Sequence, residues 1–125
     1  GVPEDIANTT VPLGTSFHKD GSIIGSVFKI MFLVCLFNSP ASPIKILGIA
    51  FVATLLIAAV PIGGGTISEM LIITSLGFPV TTLPFLTVIA TIIDAPATVL
   101  NVVGDSASSM LVARITDGKN WLKSK

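Results

Sequence analysis

Charge is what this sequence has least of. Seven Lys+Arg and seven Asp+Glu make up 11% of its 125 residues, against about a quarter in soluble domains. The formal net charge is zero, so no basic surface points to nucleic acid. Cys35 is the only cysteine, which excludes an internal disulfide and a multi-cysteine metal site. In its apolar surroundings it is expected to be buried, inert packing. The charges that do occur gather at the ends, with Glu4 and Asp5 at one and Arg114, Asp117, Lys119, Lys123 and Lys125 at the other. None falls between Lys45 and Glu69, or between Glu69 and Asp94. Each gap exceeds the roughly 20 residues that a helix needs to cross hydrocarbon. With 51% hydrophobic residues, the chain reads as one domain's length of membrane protein. It opens on Gly1 rather than methionine, and is expected to be a fragment.

The chain is organised around residues 93–115, IDAPATVLNVVGDSASSMLVARI. Asp94, Thr98, Asn101 and Asp105 follow one another at spacings of four, three and four. On a helix they fall within roughly 60° of one another. Val99, Val102, Val103, Leu111 and Val112 form the other face. A water-exposed amphipathic helix carries a broader polar side. A narrow polar stripe on an apolar helix suits a site lined from inside a membrane bundle, where ionisable groups mark a substrate or ion path. The alternative is a soluble core helix whose aspartates are caps.

Residues 15–22, TSFHKDGS, are a polar island before an apolar run. One reading is an unwound segment within a span, its carbonyls free to bind a cation. The other is a surface loop with a turn at Asp20-Gly21. His18 reads as a hydrogen-bonded structural histidine, and Lys19 as a partner of Asp20, in solvent or as an internal counter-ion. Residues 23–37 form an apolar run interrupted by Lys29, and Pro40 and Pro43 mark a break after it. Residues 44–59 and 67–76 are apolar and too short to span comfortably alone. Between them lies VPIGGGT, residues 60–66. Together they read as a re-entrant helical hairpin with a glycine-rich tip. Its N–H groups, and a helix starting near Thr66 or Ser68, would favour an anion. No Walker-type lysine follows the glycines. Glu69 reads as a first-turn carboxylate or a titrating group. Residues 77–79 break the chain again, and Pro96 is expected to bend the last span near Asp94.

The fold expected is therefore an all-α membrane protein. Residues 1–38 form a broken span, 43–78 the re-entrant hairpin, 81–116 a kinked final span and 117–125 a tail. The basic tail places the C-terminus in the cytoplasm of a multi-pass cell-membrane protein.

These motifs together resemble the dicarboxylate/amino acid:cation symporters, the family of glutamate transporters, over nearly the whole chain. Residues 11–16 followed by Asp20-Gly21-Ser22 are similar to the family's unwound seventh span, which usually ends in Asn-Met-Asp-Gly-Thr. Residues 60–65 resemble the tip of its second hairpin. Asp94, Thr98, Asn101-Val102, Gly104 and Asp105 match its eighth span. The resemblance implies an elevator-type secondary transporter, normally a homotrimer, of which this chain is the C-terminal half of the transport domain. The N-terminal half of the same protein is then missing here. On that pattern Asp94 holds the substrate's amino group. Thr98 and Asn101 contact the amino group and carboxylate. Val60 and Gly63, Gly64 and Gly65 close over them as a gate. Asp105, the Asn101 carbonyl and the backbone near Ser16 bind a cation, and Asp20 belongs to a second cation site. No cofactor is implied beyond the coupling cation, sodium or proton.

The departures from the pattern are specific. The arginine that grips an acidic side chain falls at Ala97, so an acidic substrate lacks its partner. The expected substrate is an amino acid or small carboxylate, neutral rather than acidic, unless Lys19 or a missing segment compensates. The unwound motif's Asn and Met are His18 and Lys19 here, which predicts loss of a sodium site, with either proton coupling through His18, Lys19 or Glu69 or weaker coupling overall. A degenerate, non-transporting assembly module is the competing reading. An intramembrane aspartyl hydrolase on Asp94 and Asp105 is more remote, since the two lie about 16 Å apart along a helix. No enzyme is expected.

Overall fold

The computed structural model describes residues 1–60 and 63–123. Regular structure among them is helical throughout: α1 (Glu4–Phe17), α2 (Asp20–Leu36), α3 (Pro43–Ala59), α4 (Gly64–Leu76) and α5 (Leu83–Thr116), with 3-10 turns at Val80–Thr82 and Gly118–Lys123. Pro61 and Ile62 of the expected tip, and Ser124 and Lys125 of the tail, lie outside the described residues.

Local chemistry sets the helix ends. Pro3 precedes α1, whose first turn carries Glu4 and Asp5 against the helix dipole. Asn38 takes a left-handed φ of 47° after α2. There Ser39 N–H donates to the Val34 carbonyl at 3.1 Å and Asn38 N–H to Cys35 at 3.3 Å, the paired bonds of a Schellman stop. Ser42 caps α3 by accepting from Lys45 N–H, with Pro43 in the first turn. Gly77 ends α4 in the left-handed region, φ 75°, and Phe78 N–H returns to the Ile73 carbonyl at 3.0 Å.

Two expectations shift. The polar island is not unwound along its length: Thr15, Ser16 and Phe17 finish α1, while Asp20, Gly21 and Ser22 open α2. Only His18 and Lys19 interrupt the helices. The helix after the tip starts at Gly64, two residues before Thr66, so Glu69 lies beyond its first turn. Pro96 stands inside α5 without ending it.

The α1–α2 pair runs antiparallel along α5. Thr10 Oγ1 meets Ser109 Oγ at 2.8 Å, His18 meets Asp105 at 3.0 Å, and Gly21 N–H donates to Asn101 at 2.9 Å. At Gly21 the two backbones touch, because an added Cβ would collide with the Ala97 carbonyl. Only glycine allows that approach. On the other side α2 packs on α3, and α3 on α4. The core is Ile30 and Leu33 of α2, Ile46, Ala50 and Ala53 of α3, Ile72 and Ile73 of α4, and Leu86 of α5.

Cys35 is exposed, contrary to expectation. Leu33 takes the inward face of α2, and two residues on the helix has turned about 200°. Much of the outer surface is apolar too: Ile44 is 85% exposed, Phe17 77%, Ile115 75% and Ile92 70%. Val80–Thr116 is long and apolar enough to cross a membrane, with mean hydropathy 1.8 and little of it buried. At 34 residues α5 is about 51 Å long. Helices α3 and α4 are apolar but shorter. Such a surface belongs against hydrocarbon or another apolar element.

Candidate functional site

The polar ladder of α5 divides between two places. The first is the break between α1 and α2. The His18 ring lies over Gly104, where any Cβ would strike its Cε1. His18 Nδ1 reaches Asp105 Oδ1 at 3.0 Å and Nε2 reaches Asp20 Oδ2 at 2.8 Å. Asp105 is nearly buried and Asp20 open. The protonated ring can donate to both carboxylates at once, whereas the neutral ring carries one N–H and can donate to only one. The two aspartates expected in separate cation sites thus meet across one imidazole.

The second place is a cleft of about 170 Å³ between α2, α4 and α5, with Ile57 of α3 also on its wall. Its lining includes Ser22 and Lys29 of α2, Gly65 and Glu69 of α4, and Asp94 and Ala97 of α5. It is smaller than the roughly 300 Å³ at which drug-sized pockets begin, and suits a small solute. Asp94 is exposed to it and has no hydrogen bond or ion pair among the described residues. Lys29 Nζ lies 3.2 Å from Glu69 Oε1, both side chains almost fully buried. Thr87 Oγ1 donates to the other carboxylate oxygen, Oε2, at 3.0 Å. One carboxylate so ties α2, α4 and α5 together.

The remaining expected residues are scattered. Asn101 Oδ1 accepts from Gly21 N–H, one of the donors that the start of α2 leaves unpaired. Thr98 is exposed on α5 and makes no hydrogen bond among the described residues. Val60 ends α3, Gly63 is left-handed and exposed, and Gly64 packs on the backbone of Ile57. Only Gly65 of the three glycines lines the cleft. Ser16 is exposed, and its hydroxyl donates to the Pro12 carbonyl.

Two expectations are corrected. Lys19 is not the counter-ion of Asp20: its Nζ donates to the Thr15 carbonyl at 2.7 Å, closing the end of α1, while Asp20 bonds His18. Glu69 is not a helix cap, because its carboxylate points into the bundle at Lys29. The sequence reading missed Lys29 as a site residue. The signal was present, since a lysine inside one apolar helix and a glutamate inside another each need a partner once buried. The hydrolase alternative loses its dyad, because Asp105 bonds His18 while Asp94 faces the other cleft.

The model of the sodium:dicarboxylate symporter family matches residues 1–115. The chain is 29% identical to the proton/sodium-glutamate symport protein of Bacillus caldotenax over 128 residues, covering 100% of this chain and 30% of that protein. It is 32% identical to the L-cystine uptake protein TcyP of Bacillus subtilis, covering 93% of this chain and 26% of that one. It is 30% identical to the human neutral amino acid transporter A, covering 85% of this chain and 20% of that one. The chain therefore spans less than a third of the length of these relatives. No solved structure matches it significantly. With nearly all of its length matched and its membrane-type helices in order, the chain belongs to the sodium:dicarboxylate symporter family.

Proposed function

We propose that the chain is the C-terminal part of a transport domain in a secondary transporter, and that it carries a small amino acid by cation-coupled symport. The observation that carries this reading is the unpartnered Asp94 carboxylate, facing a small cleft beside Ala97 and Gly65. A free carboxylate in a mostly apolar cleft is a ready partner for a substrate ammonium. Thr98 and Asn101, one and two turns along α5 and outside the lining of this cleft, meet the rest of the substrate once the gate closes over it. Helices α3 and α4 form the re-entrant hairpin. Val60 and the glycines after it make the gate, and an elevator movement carries the closed site across the bilayer.

A neutral substrate fits this cleft better than an acidic one. Ala97 supplies no guanidinium, and Glu69 already neutralises Lys29. The glutamate, cystine and neutral amino acid named for the relatives show that substrates differ among similar chains. The coupling cation acts at Asp20, His18 and Asp105. His18 between the two carboxylates supports a proton there in place of one sodium. The apolar outer surface is covered by lipid and by an N-terminal half of the same protein, and the whole assembles as a homotrimer with its basic C-terminus in the cytoplasm.

The test is uptake into proteoliposomes by the full-length protein, with labelled alanine, serine, cystine, aspartate and glutamate under separate sodium and proton gradients. Neutral uptake that is lost in Asp94→Ala supports the reading. Strong aspartate uptake overturns the neutral preference. A second reading is a non-transporting assembly module, favoured by the His18 ring bonding both candidate cation ligands. Absence of uptake of every probe under either gradient would favour it over the transporter reading.

A further inference from the structure

We infer that the buried Lys29–Glu69 pair sets the charge selectivity of the cleft, with Glu69 cancelling a cation that would otherwise admit an anionic side chain. The inference rests on the reading of the Asp94 cleft as the substrate site.

Lys29 and Glu69 both line the cleft that Asp94 faces. Ser22, Gly25 and Lys29 stand at helical spacings of three and four, and all three line it. Lys29 thus lies on the cleft face of α2, about two turns below its start. Glu69 lies one turn beyond Gly65 on α4, beneath the glycine segment. The Lys29 ammonium is the cationic group lining this cleft among the described residues. It is held at 3.2 Å from Glu69 Oε1, and Thr87 fixes the other carboxylate oxygen. Glu69 is thereby oriented at Lys29, and the pair contributes no net charge.

With the pair intact, Asp94 sets the sign of the cleft. A zwitterion places its ammonium on Asp94. A further carboxylate on its side chain would meet no uncompensated cation. Stability does not account for such a pair, because buried ion pairs replaced by well-packed apolar residues are often as stable or more so. Discrimination does, since an interface rejects a competitor by leaving its charge unpaired.

Binding to the full-length protein in lipid nanodiscs tests this, with labelled serine, aspartate and lysine as probes. Glu69→Gln keeps the volume and an oxygen for Thr87 while freeing the Lys29 charge. It is expected to raise aspartate affinity relative to serine by on the order of tenfold or more. Lys29→Met leaves the Glu69 carboxylate facing the cleft and is expected to raise lysine relative to serine in the same way. The double variant Lys29→Met with Glu69→Leu, uncharged at both positions, is expected to keep the wild-type ratios. Thermal unfolding identifies the folded variants. Ratios within about twofold of wild type in a folded single variant overturn the inference while wild-type serine binding leaves the site reading standing. A swing of either ratio in the double variant also overturns it. Failure of the wild type to bind any of the three probes removes the site reading and the inference with it.

Discussion

Glu69→Leu, made while Lys29 is kept, carries the largest predicted cost in stability. Lys29 is 5% exposed and Glu69 2%, so neither charge is screened by bulk solvent. Removing the carboxylate leaves a nearly buried ammonium without its ion-pair partner, in a cleft it shares with Gly25, Ala90 and Ile93 and with the exposed Asp94. It also deprives the Thr87 hydroxyl of its acceptor on Glu69. Breaking a buried pair from one side costs about 3–5 kcal/mol, whereas replacing both partners with apolar residues is often neutral or stabilising. The coupling between the two positions should therefore be about 3 kcal/mol or more. The assay is a double-mutant cycle of Glu69→Leu, Lys29→Met and the pair, made in the full-length protein in mixed micelles. Denaturant unfolding is followed by circular dichroism. The double variant should be close to wild type and Glu69→Leu far below it. A coupling under about 0.5 kcal/mol would refute the reasoning, because it would mean that the two charges are solvated separately.

Two further outcomes follow from the α5 contacts. Asn101→Ala removes the acceptor for Gly21 N–H at the start of α2 and should cost about 1–2 kcal/mol; faster hydrogen exchange at the Gly21 amide is the direct readout. Gly104→Ala places a methyl group where the His18 ring now lies, so the ring must leave at least one of its two carboxylates. The expected results are about 1–3 kcal/mol of overpacking cost and a loss of proton-driven uptake larger than the loss of substrate binding, measured on the same proteoliposome preparation.

The helix boundaries were legible in the sequence because their causes are local. Pro40 and Pro43, and Gly77 before Pro79, each break or start a helix through their own backbone and nearest neighbours. The width of the break at His18-Lys19 was not legible. A polar island looks unwound from its composition, yet Asn101 satisfies an early N–H of α2 from a helix 80 residues away, so α2 can begin as early as Asp20. Exposure of Cys35 escaped for a related reason: an apolar helix with two candidate faces does not say which one finds a partner.

The order of short and long apolar stretches and the scarcity of charge determine a membrane-type helical chain, because hydrocarbon demands both of any sequence that enters it. The polar spacing on α5 determines that one helix carries Asp94, Asn101 and Asp105. What those groups meet was decided only by tertiary structure. Lys29 found Glu69, His18 found both Asp20 and Asp105, and Asp94 was left facing a cleft beside Ala97. A charge in an apolar helix states that it needs a partner. Which partner it takes depends on the antiparallel register of α1 and α2 along α5, and close packing at Gly21 and Gly104 sets that register.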